Sequence, residues 1–423
     1  MKVLWLSITN GANVRPNHPD NYNGGGWIAS LQHALCGNND IELALSFLSD
    51  DLSGKDIQNG VTYYPIHAPK KSAFKKILHY YGGYKHDDNS QHLTSILEVI
   101  SDFQPDVIHL FGIENPLATI LGRINIPVVV HLQGLLAPYD NAFFPVGFNK
   151  SSFLLPLTVN EWLIRNGYRY AKNNIQIRGR QELQRFKNIA FCMGRTEWDH
   201  HVSQLLAPQS KYFHVDEVLR MPFYDNAGKW ESRNGSVVIT STISETIYKG
   251  LDLILKTARL LKHECHLNFK WQVIGINQQS RIIRFFERNL GINSESVNVE
   301  YMGVMNANEL VSTLLDTSMY VHPSYIDNSP NSLCEAQMLG LPVIATYVGG
   351  IPSLIKHGET GFLVPSNAPF ELAYHIKQIA DSPALAQQIS KAGTGSAMAR
   401  HDKEKITSDL LDVYKRIAEE SIA

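Results

Sequence analysis

The sequence of 423 residues contains only four cysteines, and they are widely separated along the chain. No Cys-x-x-Cys pair or cysteine–histidine cluster occurs, so neither a zinc site nor a disulfide framework is indicated. A run of about 18 apolar residues is also lacking, which argues against a membrane-spanning helix. The segment Met1–Ser7 has too short an apolar core for a signal peptide. It is predicted to be a buried strand, and the protein is expected to be cytoplasmic.

Charge of either sign is scarce and nearly balanced. Lys and Arg together number 38 and Asp and Glu number 40, for a formal net charge of -2 and a sequence pI near 6.8. A protein that binds nucleic acid through bulk positive charge is therefore not expected. Apolar residues make up 44% of the sequence, as in folded soluble proteins. Because the chain is too long for one ordinary hydrophobic core, we expect two domains.

Short β-branched segments alternate with helical patterns along the chain. The predicted strands are Val3–Ile8, Val107–Leu110, Val128–Leu132, Val237–Thr242, Trp271–Ile274, Met319–His322 and Val343–Thr346. The predicted helices are Trp27–Leu35, Leu93–Phe103, Gly250–Leu261 and Ser332–Leu339. This alternation predicts an α/β fold with parallel sheets and crossover helices. In such folds ligands bind at the carboxyl ends of the strands.

A polar, strand-poor connector around residues 225–234 separates two series of strands. It predicts an N-terminal Rossmann-like domain at residues 1–225 and a C-terminal Rossmann-like domain at residues 226–402. The amphipathic segment Lys403–Ile417 predicts a final helix, and we assign residues 403–423 to the first domain. Two domains of this kind that face each other would enclose a cleft between their sheets.

The window of residues 325–352 is the most informative part of the sequence. A polar loop with Asp327 follows a strand, and a helix is predicted to open near Asn331 or Ser332, either of which suits the N-cap. The free N–H groups at that helix start suit a phosphate. Glu335 lies one turn inside the helix, where its carboxylate can accept hydrogen bonds from sugar or ribose hydroxyls. A βαβ unit with an ordinary acidic helix surface explains the same window without a ligand.

This window resembles the family-four (group 1) retaining glycosyltransferases of the GT-B architecture. Their signature is two carboxylates separated by seven residues, followed by Glu-Ala, a Gly-x-Pro-Val strand entry and a Gly-Gly turn. Asp327 and Glu335 have this separation. The resemblance implies that Glu335 holds the nucleotide ribose and that Asp327 contacts the donor sugar. It also implies that backbone N–H groups of Asn331, Ser332 and Leu333 hold the pyrophosphate. The family's first acid is usually Glu, so Asp327 is shorter by one methylene.

A second resemblance lies at the start of the C-terminal domain. In the family, an Arg near a strand end and a Lys before a Gly-Leu-Asp-like helix start hold the donor diphosphate. Lys249 matches the Lys, and a cation there would stabilise the departing diphosphate. The Arg is absent, because Ser241 and Thr242 stand at the strand end and offer hydrogen bonds without charge. Arg195 or Arg220 could compensate, although the sequence places neither of them.

Three further features match family positions. Gly25 and Gly26 correspond to a glycine loop that reaches over donor and acceptor, although a flexible turn alone explains such glycines. His131 ends a predicted strand and matches a histidine that the family places near the donor sugar, whereas His109 is interpreted as structural. Val304 belongs to a loop that matches one whose backbone touches the nucleobase.

The resemblance implies a function as well as a fold. A retaining glycosyltransferase would move a sugar from a nucleotide sugar to a glycan or lipid-linked acceptor in cell-surface polysaccharide or glycoconjugate synthesis. The nucleotide sugar is then a substrate, and no cofactor is implied. No metal is implied either, because the family works without one and no paired His/carboxylate set has ligand spacing.

Two stretches of the first domain are basic. Residues 66–86 contain five lysines and no acid, and residues 149–190 contain eight basic and two acidic residues with interleaved aromatics. Such segments suit an anionic membrane surface, so peripheral association with the inner face of the cytoplasmic membrane is one interpretation. A solvated surface is the other.

Two other functions are compatible with the sequence. A sugar-nucleotide epimerase can share the same architecture, but it needs its own acid and base around the donor. A degenerate sugar-nucleotide-binding protein without activity would explain the missing Arg and the replacement of Glu by Asp327.

Overall fold

The computed structural model describes residues 1–12, 26–49, 52, 54–67, 90–148, 168–232 and 235–420. Within these residues the chain forms two sheets, one in each half, with helices packed on both. All strand pairs are parallel except one at the edge of the first sheet. The predicted α/β fold with two parallel sheets is therefore confirmed.

The first sheet has eight strands in the order β3-β4-β2-β1-β5-β6-β7-β8. They are β1 (Lys2–Ser7), β2 (Glu42–Ser49), β3 (Asp56–Gln58), β4 (Val61–His67), β5 (Val107–Phe111), β6 (Val128–His131), β7 (Phe191–Gly194) and β8 (Lys211–His214). The helices of this half are α1 (Gly26–Leu35), α2 (Ser90–Phe103), α3 (Leu136–Asn141), α4 (Tyr168–Phe186) and α5 (Glu197–Leu206), with a 3-10 helix at Pro116–Ile120.

The second sheet has six strands in the order β11-β10-β9-β12-β13-β14. They are β9 (Val237–Thr242), β10 (Phe269–Ile274), β11 (Val299–Gly303), β12 (Met319–His322), β13 (Val343–Thr346) and β14 (Phe362–Val364). The helices are α6 (Met221–Asp225), α7 (Leu251–His263), α8 (Arg281–Leu290), α9 (Ala307–Leu315), α10 (Asn331–Leu339), α11 (Pro369–Asp381), α12 (Pro383–Arg400) and α13 (Lys403–Glu420). Short 3-10 helices lie at Ile247–Lys249, Glu295–Val297 and Ile351–Ser353.

Continuous apolar runs form the strands at the centre of each sheet, because helices cover both faces there. Every residue of β5 and of β12 is buried. Trp5 and Trp271 are the largest fully buried side chains of the two halves. The core of each half thus sits on both sides of its sheet, and the loops at the carboxyl ends of the strands remain for binding.

The last helix returns to the first half. Helix α13 packs against α1, and Trp5 Nε1 donates a hydrogen bond of 2.9 Å to the hydroxyl of Tyr414 on α13. The crossing between the halves lies near Leu219, because Val218 packs in the core of the first half and Leu219 in that of the second. The packing therefore places the crossing a few residues before the boundary at 225 that the sequence predicts.

Several basic residues of the 149–190 stretch are used inside the protein. Lys172 is buried and forms an ion pair of 2.5 Å with Asp140. Arg178 donates to the carbonyl oxygen of Glu114, and Arg185 donates to that of Ile113. Lys172 ties α4 to α3, and the two arginines hold the loop after β5, so these three cations are engaged inside the protein and not available to a membrane. The lysines of residues 70–85, together with Lys150 and Arg165, lie outside the described residues. In the part of the chain that the structure describes, no helix is long and apolar enough to cross a bilayer.

Candidate functional site

The carboxyl ends of the two sheets face each other, and hydrogen bonds join their loops. Thr196 follows β7 and donates from Oγ1 to Oδ1 of Asn328, which follows β12, at 2.6 Å. The Asn328 amide in turn donates to Asp199 Oδ2 at 3.0 Å and to the carbonyl oxygen of Gln133 at 3.3 Å. The Asn328 clasp, defined as these three bonds, fixes the residue next to Asp327 against the first half.

Asp327 lies in the loop after β12 and is only 8% exposed. Lys249 Nζ donates to its Oδ2 at 2.5 Å, His322 Nε2 lies 3.0 Å from the same oxygen, and Ser324 Oγ lies at 3.4 Å. Burial alone would raise the pKa of this carboxyl, but the Lys249 charge and the His322 hydrogen bond hold it well below its usual range. Asp327 is therefore ionised at neutral pH.

The position of Lys249 depends on the glycine that follows it. Lys249 ends the 3-10 helix Ile247–Lys249, and Gly250 has the left-handed φ of 81°. A Cβ atom at Gly250 would lie 2.1 Å from the carbonyl oxygen of Pro323. Only glycine satisfies both the conformation and the space, and this close approach brings Lys249 onto the Asp327 loop.

The Gly-Gly turn of the motif supports the same loop. Gly350 N donates to the carbonyl oxygen of Asp327 at 3.0 Å. A Cβ atom at Gly349, whose φ is 51°, would lie 1.9 Å from that oxygen. The turn thus closes over the backbone of Asp327.

Helix α10 begins without a side-chain cap. Its N-cap is Pro330, which makes no capping hydrogen bond, so the prediction of Asn331 or Ser332 as the cap was wrong. Because Asn331 and Ser332 occupy the first turn, their N–H groups have no acceptor within the helix. Leu333 N instead donates to the carbonyl oxygen of Pro330 at 3.0 Å. The open donors of this helix start are those of Asn331 and Ser332, and they suit an anion.

Glu335 is 2% exposed. It faces the linker between the two halves, which is the segment of residues 215–220 between β8 and α6. Arg220 Nε donates to its Oε1 and Arg220 Nη2 donates to its Oε2, both at 2.7 Å. Burial raises the pKa of Glu335 more than Arg220 lowers it, and nearby Glu217 adds to the rise. Glu335, the residue predicted to bind the ribose, is therefore already held by a bidentate interaction with Arg220.

Four other predicted site residues lie in different surroundings. Gly26 opens α1, whereas Gly25 lies outside the described residues. The Ser241 hydroxyl donates to the carbonyl oxygen of Val321 at 2.7 Å and accepts from Trp271 Nε1 at 3.1 Å. The structure therefore places this hydroxyl inside the sheet and not in the cleft, which corrects its assignment as a side-chain ligand of the donor. Val304 follows β11 and is 58% exposed.

His131 ends a chain of buried hydrogen bonds that crosses the first half. His109 Nδ1 lies 2.6 Å from the Tyr414 hydroxyl, and His109 Nε2 lies 3.1 Å from His131 Nδ1. Trp5 can only donate, so Tyr414 accepts from it and is free to donate its own proton to His109. His109 then donates to His131, whose Nε2 carries the remaining proton. In the opposite arrangement, His131 would donate to His109 and His109 would donate to Tyr414. The Tyr414 proton and His131 Nε2 would then both lack a partner among the described residues.

The two histidines are neutral, because burial lowers the pKa of His109 to about 3 and lowers that of His131 well below its usual value. His131 Nε2 is buried with no hydrogen-bond partner among the described residues. It lies at the carboxyl end of β6, edge-on to Trp27 in the first turn of α1. His109 has the structural setting that the sequence suggests, and His131 offers one unused N–H.

A second group of contacts joins the halves beneath the motif. Ser329 donates to Glu217 Oε1 at 2.5 Å, and Arg195 Nε lies 3.8 Å from Glu217 Oε2. Burial would raise the pKa of Glu217, but Arg195, His401 and Arg400 bring it down to about 2. Glu217 is thus an ionised acid inside the protein that ties the motif loop to the linker.

Ligand-type atoms of Glu217, Cys334 and His401 lie within 4.8 Å of one another in the described part of the chain, which is the spacing of a metal site. The arginines Arg195 and Arg400 already supply positive charge at Glu217. Burial also raises the pKa of the Cys334 thiol, which opposes the thiolate that a metal requires. The group therefore fits a charge-compensated core better than a cation site.

Sequence reasoning did not single out His322 or Glu217. His322 ends β12 five residues before Asp327, so the rule that drew attention to the strand-ending His131 applies to it equally. Glu217 carries no local signal, because its partners lie 22 residues upstream and 112 residues downstream.

Comparison with known proteins identifies the C-terminal half. Residues 226–395 match the family model described as glycosyl transferases group 1. The putative colanic acid biosynthesis glycosyltransferase WcaL of Salmonella typhimurium is 29% identical over 152 residues, which is 34% of this chain and 36% of that protein. D-inositol 3-phosphate glycosyltransferase of Streptomyces avermitilis is 33% identical over 120 residues, covering 27% of this chain and 25% of that protein. The chain thus aligns with 36% of the length of the first relative and with 25% of the length of the second.

Solved structures match both halves. Sucrose-phosphate synthase from Thermosynechococcus elongatus aligns with a TM-score of 0.71 at 14% identity and covers 98% of each chain. HepE of Anabaena in complex with UDP-glucose aligns with a TM-score of 0.60 at 15% identity and covers 98% of this chain. The GT-B architecture and the resemblance to group 1 glycosyltransferases are therefore confirmed.

Proposed function

We propose that this protein transfers a sugar from a nucleotide sugar to an acceptor, with retention of the anomeric configuration, because residues 226–395 match the family model described as glycosyl transferases group 1.

One observation carries the proposal. The partly buried ion pair of Lys249 with Asp327 stands at the carboxyl end of the second sheet, close in sequence to the uncapped start of α10 at Asn331. A nucleotide sugar presents a diphosphate next to a sugar. The helix start and Lys249 suit the diphosphate, and Asp327 is placed by the same loop to accept hydrogen bonds from sugar hydroxyls.

The chemistry requires charge neutralisation at the leaving group. Breaking the anomeric C–O bond leaves negative charge on the departing nucleoside diphosphate, and positioned cations stabilise it in the transition state. We assign that role to Lys249 and to the backbone N–H groups of Asn331 and Ser332, without a metal ion. Donor consumption should accordingly persist in excess EDTA, and restoration only by a divalent cation would contradict this point.

Retention of configuration belongs to the proposal through the family resemblance. In that mechanism the acceptor attacks on the face from which the diphosphate departs, and the leaving phosphate oxygen takes the acceptor proton. His131, with its unused Nε2–H, is assigned to the donor sugar. NMR of the first-formed product distinguishes the two outcomes, since an inverted anomer would overturn retention.

The acceptor belongs to the first half, opposite the donor domain. We propose a glycan or a lipid-linked glycan, in polysaccharide or glycoconjugate synthesis, which the name of the WcaL relative supports. Peripheral contact with an anionic membrane remains a proposal that rests on the 66–86 stretch and the exposed part of the 149–190 stretch. Flotation with anionic vesicles tests it, and protein that stays at the bottom of the gradient would count against membrane contact.

A thermal-shift screen of UDP-, GDP-, ADP- and CDP-sugars tests the donor proposal, because a ligand that binds the folded state raises the melting temperature. UDP-glucose is the first candidate, since a structural neighbour was solved with it. The donor that binds is then assayed for consumption by the wild type and by the Glu335→Ala and Lys249→Ala variants. Free epimerised nucleotide sugar would indicate an epimerase. Binding without consumption in the presence of candidate acceptors would indicate a non-catalytic binding protein.

A further inference from the structure

We propose that Arg220, the residue before α6, supplies the second positive charge for the donor diphosphate, in place of the arginine that is absent from the end of β9. This inference rests on the proposed function. It answers a question that the sequence leaves open, because Arg195 and Arg220 are both candidates there and only the structure places them.

The guanidinium group of Arg220 uses one edge and leaves the other available. Nε and Nη2 donate to the two oxygens of Glu335, each at 2.7 Å. A guanidinium has five N–H donors in a plane, so the N–H groups of Nη1 and one of Nη2 remain. Among the residues that the structure describes, no acceptor lies within hydrogen-bond distance of Arg220 Nη1. The side chain is 20% exposed, compared with 2% for Glu335, so the unused edge is the accessible one.

The location of this edge fits a diphosphate. The stem of Arg220 lies against Gly26, where a Cβ atom would come within 3.1 Å of Arg220 Cδ. Glu335 lies one helical turn, about 5.4 Å along the axis, from the open N–H group of Asn331. Arg220 therefore stands between the first residue of α1 and the uncapped start of α10. Glycine at position 26 leaves the room for the arginine stem.

Arg195 is excluded by its surroundings. It is 3% exposed, and its guanidinium lies over the Trp27 ring at 5.1 Å. Nη2 reaches the carbonyl oxygen of Gln133 at 3.4 Å, and Nε lies beside Glu217. Arg195 compensates a buried acid between the halves, so it has no accessible edge for a ligand.

The two cations of the proposed site are held in the same way. Lys249 is positioned by Asp327, and Arg220 is positioned by Glu335. Each pair is neutral before the donor binds, and the diphosphate then adds negative charge beside both cations. Arginine binds phosphate oxygens with two parallel hydrogen bonds. Glu335 therefore orients the guanidinium and can still accept from the ribose with its remaining lone pairs.

Isothermal titration of the full chain tests this assignment. UDP, GDP and ADP are titrated into the wild type, together with uridine, guanosine and adenosine, and the pair that binds is used for the variants. Arg220→Gln is expected to weaken diphosphate binding roughly 10- to 100-fold, the range for a lost charged hydrogen bond, and to change nucleoside binding by less than about threefold. Arg220→Lys should recover part of the diphosphate affinity, because it restores the charge without the fork.

A second comparison serves as a control for a folding defect of the Arg220→Gln variant. Arg220→Gln leaves Glu335 buried without its partner, so the double variant Arg220→Gln/Glu335→Gln is compared with Glu335→Gln alone. The double variant should show the same selective loss of diphosphate affinity. Equal losses for nucleoside and diphosphate, or unchanged diphosphate affinity in the double variant, would overturn the role of Arg220. If none of the three diphosphates binds the wild type, the proposed function falls together with this inference.

Discussion

Asp327 and Glu335 stand eight positions apart in one motif, both are buried, and each is paired with one lysine or arginine, yet their pKa values shift in opposite directions. The pKa of Asp327 falls and that of Glu335 rises. Asp327 accepts from Lys249, His322 and Ser324, which all belong to the second half. Glu335 depends on Arg220 alone and feels the negative charge of Glu217.

In this site the ionised form of a buried carboxylate is favoured when several hydrogen-bond donors surround it, and a single ion pair does not suffice. Burial penalises both charges, and a single cation partner does not offset that penalty for Glu335. Asp327 has two further donors, so its ionised form is favoured. One site therefore contains a firmly ionised acid next to the proposed sugar and an acid near the proposed ribose whose charge depends on a residue of the linker.

The largest expected effect is the loss of folding stability in Arg220→Gln. Removing the only cation from a buried carboxylate costs about 3–5 kcal/mol. Lys249→Met should cost less, because His322 and Ser324 still hold Asp327. Urea unfolding of both variants at pH 8 measures the difference, and the Arg220→Gln loss should shrink at pH 5, where Glu335 can protonate. A larger loss of unfolding free energy in Lys249→Met than in Arg220→Gln would contradict the explanation by the number of donors.

Lys249→Met should have the largest effect on turnover. Removing a cation from a leaving group is expected to lower the rate of donor consumption on the order of 100-fold. Lys377→Met is the matched control, since Lys377 pairs with Asp381 on the exposed surface of α11, and it should keep wild-type turnover. Equal rates in wild type and Lys249→Met would remove Lys249 from the proposed mechanism.

Asn328→Ala tests how the Asp327 loop is positioned. The variant removes the Asn328 clasp and leaves Thr196 and Asp199 short of a buried partner, which should cost about 1–3 kcal/mol of unfolding free energy. Ser353→Ala is the control, because its hydroxyl accepts from Glu197 N across the same gap but near solvent. Thermal unfolding should show a small change for Ser353→Ala. Similar melting temperatures for the two variants would mean that the clasp contributes little.

The pH dependence of stability should have opposite signs at the two acids. The pKa of Asp327 is lowered, so its contribution is present above its ordinary value of 3.8 and is lost as the pH falls. The pKa of Glu335 is raised, so its contribution is present below 4.5 and is lost as the pH rises. Asp327→Asn should therefore cost most at neutral pH, whereas Glu335→Gln should become relatively more stable as the pH rises. Urea midpoints between pH 2 and 8 measure both slopes, because the Asp327 slope lies below about pH 4 and the Glu335 slope lies above 4.5. Slopes of the same sign would contradict this prediction.

The smallest expected effect concerns the first half. In Tyr414→Phe, His109 can donate to His131 or accept from it, and both arrangements leave the same number of buried donors and acceptors without a hydrogen bond. His131 should therefore populate two tautomers. If only one of them is competent, turnover falls about twofold. Nitrogen NMR of histidine-labelled protein measures the tautomer, with Leu410→Ala on the same helix as a control for destabilisation. A single Nε2–H tautomer in both wild type and Tyr414→Phe would show that the hydrogen-bond chain does not set it.

Much of the fold follows from local patterns. Strands with continuous β-branched runs, such as Val128–His131 and Val343–Thr346, are readable because both faces of a central parallel strand are buried. Seven strands of the described residues, β2, β3, β4, β7, β8, β11 and β14, were not predicted. Two of them, Phe191–Gly194 and Lys211–His214, are short and carry little β-branched character. β7 pairs with β6, and β8 pairs with β7 at the edge of the sheet. Tertiary packing therefore decides such strands.

The site divides in the same way. The resemblance to the group 1 motif locates Asp327, Glu335 and Lys249, because the motif sets their positions on a loop, a helix and a turn. The partners of these residues are distant in sequence: Arg220 lies 115 positions from Glu335, and Asn328 binds Asp199 across 129 positions. No local pattern encodes such pairs.

The α/β class and the two-half organisation can be read from the periodicity of the sequence, because local backbone geometry converts it directly into strands and helices. The acid pair is located by the resemblance of its motif to group 1 glycosyltransferases. Tertiary contacts, in contrast, establish that Glu335 is held by Arg220, that Ser241 turns into the sheet and that the helix start at Asn331 is uncapped. They also bring Tyr414 from the last helix to His109. Each of these depends on which segments meet after folding, and burial, hydrogen bonding and charge act between them only once they are in contact.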